Sequence, residues 1–199
     1  MAARPVASEP VWDVAVVGAG PAGGIAACVA ANAGARVVLL DRAAIPRYKT
    51  CGGGLIGTTQ RLASEHIGLP GHVSARVQAA TVTLDGSRSF TRRVADGDLL
   101  EMVNRDEFDA ALVQAAQAAG VELRQRTALR GLTEAEDRVT LQTSSGSLAA
   151  RVVIGADGSA GRVGNYVGVR CRQVDLGLEV ELPATEAMRT EWLGRVLLD

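Results

Sequence analysis

Hydrophobic positions along the chain fall into short runs stopped by glycine, and the N-terminal part shows this pattern most clearly. Residues 11–17 are apolar and rich in β-branched side chains, and they end abruptly at Gly18, which predicts a buried strand. Residues 21–33 are dominated by alanine and stop at Gly34 in the manner of a helix C-cap. Residues 36–40 predict a second buried strand, ending at Asp41. Strand, glycine turn, helix and strand in about 30 residues make a βαβ unit.

The pattern then becomes irregular over residues 42–57, which carry Pro46 and the triple glycine Gly52, Gly53, Gly54. Residues 60–66 predict a short helix closed by a turn at 68–71. Residues 75–84 and 87–94 flank Asp85-Gly86, a pair suited to a tight primed turn, and predict a hairpin. Over 104–119 the spacing of Phe108, Leu112, Ala115 and Ala116 puts them on one helical face, with Gly120 closing the helix. Residues 121–126 predict a core strand, followed by shorter strands at 128–134, 138–143 and 148–154. The last of these runs into Gly155-Ala156-Asp157-Gly158. Residues 174–182 alternate and predict one more strand.

Composition narrows the function classes. A length of 199 residues allows one domain, or one domain and the start of another. Hydrophobic residues at 47% and charged residues at 22% are ordinary for a globular chain, and a net charge of −1 offers no basic field for nucleic acid. No stretch approaches the ~20 apolar residues of a membrane span, and the N-terminus lacks the pattern of a signal peptide. Cys28, Cys51 and Cys171 have no metal-ligand spacing, so the expectation is a cytoplasmic protein without structural metal. His66 and His72 are isolated, Arg92-Arg93 reads as a solvated strand end, and Trp12 and Trp192 read as packing residues. No Ser-His-Asp arrangement, P-loop or zinc pattern is present.

The chemistry is carried by Gly18-Ala19-Gly20-Pro21-Ala22-Gly23, which fits G-x-G-x-x-G. The motif follows a buried strand, opens a helix, and has Asp41 placed 18 residues beyond its third glycine. In such a site Gly18 allows the tight turn, Gly20 lets backbone approach a pyrophosphate, and Gly23 lets helix pack on sheet. The helix opens with Pro21 and Ala22, and the unpaired N–H groups of its N-terminus, to which Pro21 contributes none, face phosphate. Asp41 accepts hydrogen bonds from a ribose, and its charge disfavours a 2′-phosphate there. The fingerprint near the N-terminus, followed much later by a second glycine–acid turn, is the layout of two-part flavoproteins, which points to FAD.

The stretch 16–23 together with Ile45-Pro46-Arg47-Tyr48-Lys49-Thr50-Cys51-Gly52-Gly53-Gly54 resembles the geranylgeranyl reductase family of flavoproteins, within the superfamily that includes para-hydroxybenzoate hydroxylase. Arg105-Asp106-Glu107-Phe108-Asp109 with Leu112 is similar to the family's R-x-x-L-D…L helix, with Phe108 in place of leucine. Gly155-Ala156-Asp157-Gly158 resembles the shared Asp-Gly motif. The resemblance covers about residues 12–182, and the K-x-C-G-G-G piece is its family-specific element. It implies an α/β, Rossmann-like FAD-binding domain of the glutathione-reductase type with an antiparallel β-meander. It also implies an oxidoreductase that reduces carbon–carbon double bonds of isoprenoid chains. The implied FAD contacts are Gly18, Gly20, Pro21, Ala22, Gly23, Asp41, Arg42, Cys51, Gly52, Gly53, Arg105, Asp157 and Gly158. Arg105 is expected against the flavin's phosphate or ribityl chain, and Cys51 beside the isoalloxazine as a proton-donating acid or a packing residue. The implied partners are an isoprenoid substrate and an NAD(P)H or ferredoxin-type electron donor. Peripheral contact with a membrane is compatible with that substrate.

The sequence departs from the family in two places. Where the family has a serine and then an arginine after Asp-Gly, this chain has Gly161 and Gly164, with Arg162 offset. The family's second Gly-Asp turn and aromatic substrate motif do not occur within the sequence. The expected division is therefore an incomplete FAD-binding domain over 1–170 and the start of a β-sheet substrate domain over 171–199. The expected FAD binding of this chain in isolation is weak or nil. The alternatives are an aromatic monooxygenase of the same superfamily, disfavoured by the 51–54 segment, and a non-catalytic nucleotide-binding remnant.

Overall fold

The computed structural model describes residues 11–198 apart from 171 and 174–176. In chain order the elements are β1 (Trp12–Val17), α1 (Pro21–Asn32), β2 (Val37–Leu40), β3 (Gly54–Leu55), α2 (Thr58–Ile67), a 3₁₀ turn (Leu69–His72), β4 (Val73–Val77), β5 (Ala79–Leu84) and β6 (Arg88–Arg93). They continue with β7 (Leu100–Val103), α3 (Arg105–Ala118), β8 (Glu122–Arg124), β9 (Leu129–Glu134), β10 (Val139–Thr143), β11 (Gly146–Gly155), α4 (Arg162–Tyr166), α5 (Glu186–Trp192) and β12 (Arg195–Leu198). The architecture is α/β. The chain divides into one compact unit of Met1–Arg47 with Asp109–Val174 and another of Tyr48–Phe108 with Asp175–Asp199. The boundary falls inside α3.

The first unit is built on a 6-stranded sheet in the order β8-β2-β1-β11-β10-β9. β8, β2, β1 and β11 run parallel, and β10 and β9 complete the sheet antiparallel. The continuous apolar run of β2 follows from burial on both faces, as expected of a parallel strand covered on each side. Val37 and Leu39 pack with Ala27 and Cys28 of α1 and with Val113 and Ala116 of α3. Val38 and Leu40 point the other way and pack with Leu129 and Leu141 of the antiparallel strands and with Leu148 of β11. α1 approaches α3 closely because Gly24 lacks a side chain: a Cβ there would lie 2.9 Å from Cβ of Leu112.

The strand order fixes the site. β1 pairs with β2 on one side and with β11 on the other, so the chain switches sides of the sheet at β1. In open α/β sheets ligands bind at the carboxyl ends of strands at this kind of switch point. Val17 is in register with both Leu40 and Gly155. The turns that leave these three strands therefore start at the same level.

The second unit contains two 3-stranded sheets, β12-β5-β6 and β3-β7-β4. The predicted hairpin turns at Asp85 and Gly86 with φ of 52° and 62°, as a type I′ turn requires. The other expectations here are corrected by the sheet pairing. The single strand expected over 75–84 is broken at Gln78, with β4 pairing β7 and β5 pairing β6. Residues 177–182 form no strand, and 174–176 lie outside the described residues. The strand of that region is β12 instead, which pairs parallel with β5. Among the described residues no helix is long and apolar enough to cross a membrane.

Leu39 is fully buried between β1 and the two helices. Leu39→Ala is expected to lower unfolding free energy by about 3 kcal/mol, read as a fall in the urea midpoint at unchanged slope.

Candidate functional site

The glycines of the fingerprint differ in what the protein itself requires of them. Gly18 has φ of +102° and faces the turn after β11, where a Cβ would lie 2.3 Å from the carbonyl oxygen of Ala156. At Gly23 a Cβ would lie 1.7 Å from the carbonyl oxygen of Gly18. Both are fixed by close backbone packing. Gly20 is different: its backbone is extended, with φ −80° and ψ −173°, and a Cβ would find Arg47 Nη2 at 3.7 Å and nothing nearer. No internal contact demands glycine there. Gly20 is also the N-cap of α1, with Pro21 in the first turn and no side-chain hydrogen bond capping the helix end. The helix N-terminus is thus left clear for an anion.

Asp41 closes the other side of this turn. Its Oδ2 accepts the N–H of Ala19 at 2.8 Å, and its Oδ1 accepts the N–H of Ala43 at 2.8 Å. The carboxylate is 7% exposed and pairs with Arg47, Nη2 to Oδ2 3.7 Å. Arg47 also reaches Asp109 on α3, Nη1 to Oδ2 3.2 Å. Neighbouring Arg42 is exposed.

The third turn contributes Asp157 and Gly158. Asp157 Oδ2 accepts the N–H of Arg162 at 2.6 Å and that of Val163 at 3.3 Å, so it caps α4. This accounts for the departure at Gly161, where a Cβ would lie 2.2 Å from Asp157 Oδ1. A serine in that place collides with the carboxylate in the position it takes here.

The second unit holds the remaining candidates. Cys51 is exposed, and its N–H donates to Glu179 Oε2 at 2.9 Å. The same oxygen accepts the hydroxyl of Tyr48 at 3.1 Å. Burial alone raises the Cys51 thiol pKa. The Gly53 N–H and the Arg105 guanidinium, helped by Lys49, outweigh it, and the thiol ends below the ordinary cysteine value. Glu179 acts in the opposite sense on Tyr48, whose hydroxyl is raised by its hydrogen bond to that carboxylate. Gly53, at φ +73°, is held against β7, where a Cβ would lie 2.1 Å from the carbonyl oxygen of Val103. Gly52 faces open space.

Comparison with known proteins settles the class of this fold. Residues 11–185 match the family model described as FAD binding domain. The chain belongs to that FAD-binding family. FAD is accordingly the cofactor this domain is built for, and the glycine turn fits it on the structure's own terms, since Gly20 leaves clear the space that a side chain would fill. The FAD-binding domain is 31% identical over 173 residues to digeranylgeranylglycerophospholipid reductase of Methanosarcina acetivorans, covering 80% of this chain and 40% of that protein. It is 37% identical over 164 residues to geranylgeranyl diphosphate reductase of Rhodobacter capsulatus, covering 78% and 40%. In structure it matches a geranylgeranyl bacteriochlorophyll reductase-like protein of Thermoplasma acidophilum with a TM-score of 0.67 at 23% identity, over 84% of this chain and 44% of that one. The chain spans about 40% of the curated relatives it matches.

Within the first unit of the domain, the structure brings Gly18, Gly20, Pro21, Ala22, Gly23, Asp41, Asp157 and Gly158 to one edge of the sheet. Within the second it brings Cys51 and Arg105 together. Sequence reasoning named neither Arg47 nor Asp109 nor Glu179 as site residues. A signal for Asp109 was present: Leu112, Val113 and Ala116 follow it at three, four and seven residues, which sets a carboxylate on the buried stripe of α3.

Two measurements check these assignments. Gly20→Ala fits the free protein, so its melting temperature is expected to stay within about 2 °C of the parent. FAD affinity, read by flavin fluorescence quenching, is expected to fall at least ~10-fold, because Gly20 is where the backbone of this motif must approach the pyrophosphate. Cys51 is expected to alkylate with a pH midpoint below the ordinary cysteine value of about 8.5. Arg105→Gln removes a stabiliser of the thiolate and is expected to move that midpoint upward, as followed by peptide mass spectrometry.

Proposed function

We propose that this chain is the FAD-holding part of an oxidoreductase that saturates isolated carbon–carbon double bonds in isoprenoid chains. Sequence identity to two such reductases supports the substrate class. The observation that carries the reading is the Cys51 thiol, set at the head of Gly52-Gly53-Gly54 and acidified by Arg105 and the Gly53 N–H. Bound FAD, once reduced, supplies hydride to one carbon of the alkene. The other carbon needs a proton, and Cys51 Sγ is the acid placed for it in this reading. Gly52 keeps the backbone free of side chain beside the thiol, so that an extended apolar substrate can pass close. Glu179 anchors the Cys51 backbone N–H and so holds the loop that carries the thiol.

In this reading Arg105, besides acidifying the thiol, faces the flavin's phosphate or ribityl chain, and Asp157 and Gly158 close the dinucleotide site. The electron donor is NAD(P)H or a ferredoxin-type protein, and the enzyme works in the cytoplasm, meeting its lipid substrate at a membrane surface.

The test is anaerobic. The chain is loaded with FAD, photoreduced, and mixed with a geranylgeranyl lipid while the flavin band near 450 nm is followed. Substrate-dependent reoxidation with formation of the saturated chain supports the reading, and Cys51→Ala is expected to slow it ~100-fold, a typical contribution of a general acid. Reoxidation that needs oxygen and an aromatic substrate instead would move the protein to the monooxygenase class.

A further inference from the structure

Arg47 is not part of the dinucleotide fingerprint, yet its guanidinium lies between the features that make one. Nη2 is 3.7 Å from Asp41 Oδ2 and also 3.7 Å from where a Cβ of Gly20 would stand. Nη1 is 3.2 Å from Oδ2 of Asp109, whose side chain is 0% exposed, while Arg47 itself is 19% exposed. Nη1 is buried and makes no aligned hydrogen bond. Its contact with Asp109 is therefore an attraction of charges at close range. The backbone leading to Arg47 is tied down as well, since Arg126 N–H donates to the carbonyl of Ala43 and Ile45 N–H donates to Gln125 Oε1.

We propose that Arg47 is a ligand for the phosphate–ribose half of the bound dinucleotide, and that Asp109 is the positioning residue that aims it. The inference rests on the dinucleotide reading of the glycine turn. A carboxylate that accepts from ribose stands beside a turn that takes a pyrophosphate, and these like charges repel. The N-terminus of α1 offers only about half an elementary charge against that repulsion. Arg47 adds a full positive charge between the two. A planar guanidinium can serve two partners at once. With one amino group committed to buried Asp109, the other stays over Gly20 instead of swinging into solvent. Lysine, a point charge on a flexible stem, cannot make both connections.

The experiment titrates the chain with ADP, which carries ribose and phosphates, and with adenosine, which lacks the phosphates. The main variant is the double replacement Arg47→Gln with Asp109→Asn, which removes the Asp109 charge together with its arginine and keeps the net charge constant, while Asp41 retains the N–H groups of Ala19 and Ala43. It is expected to fold, by circular dichroism, and to bind ADP 10- to 100-fold more weakly, the loss of a hydrogen bond to a charged group. Adenosine affinity is expected to change less than ~3-fold, because a neutral ligand draws nothing from that charge. Asp109→Asn alone is expected to weaken ADP by a smaller factor, since Arg47 remains but is no longer aimed. Equal loss of ADP and adenosine, or no loss of either, overturns the proposal and leaves Arg47 a structural ion pair. A parent chain that binds adenosine and ADP equally, or binds neither, overturns the dinucleotide reading and the proposal with it.

Discussion

Val17 is in register with Leu40 and with Gly155, and three turns leave the sheet side by side from that level. The turn after β1 must fit between its neighbours with almost no room: the Gly18 Cβ position is 2.3 Å from the Ala156 carbonyl oxygen. Any larger residue at Gly18 separates β1 from the turn of β11. The same displacement moves Ala19, whose N–H is the group that Asp41 holds. Close backbone approach is thus the constraint on which the Asp41 contact, the N-terminus of α1 and the capped Asp157 turn all depend.

A second constraint is electrostatic. Asp41 and Asp109 are both shielded from water, and Arg47 stands between them. Removing one member of a buried charge pair typically costs about 3–5 kcal/mol, while replacing the pair together costs far less. A structural reading and a ligand-binding reading of this arginine therefore predict similar effects for single replacements. They part company only when the ligand's own charge is varied. Acidification of the Cys51 thiol is of another kind, because it sits on an exposed residue and is created by a cation and a backbone N–H rather than by burial.

How far the sequence reveals this structure depends on the range of the signal. The βαβ unit was legible because each of its parts is announced locally: a β-branched run, a glycine turn, a proline at the helix start, an acid at the strand end. Gly18, Gly20 and Gly23 look alike in the sequence, and only the packing separates those the protein needs from the one it leaves clear. The break at Gln78 was not legible, since sheet membership is decided by β7, β6 and β12, which lie far along the chain. Alternation over 174–182 suggested a strand, but alternation without a partner strand makes none over its described part, 177–182. Asp109 was hidden by its chemistry, as a charge on a helix reads as solvent-facing until its spacing to Leu112, Val113 and Ala116 is counted.

The parallel pairing of β1 with β11 has a consequence for the order of assembly. Val17 meets Leu40 across 23 residues of chain but meets Gly155 across 138. The entropy of closing a loop grows with its length, and pairings of long separation form slowly. On a chain emerging from the ribosome, the Asp41 carboxylate can find the Ala19 N–H long before Gly155 has been synthesised. The Asp41–Ala19 contact is therefore a local product of the first βαβ unit. The wall that makes Gly18 indispensable arrives late, and until then the glycine is free of the contact that later defines it.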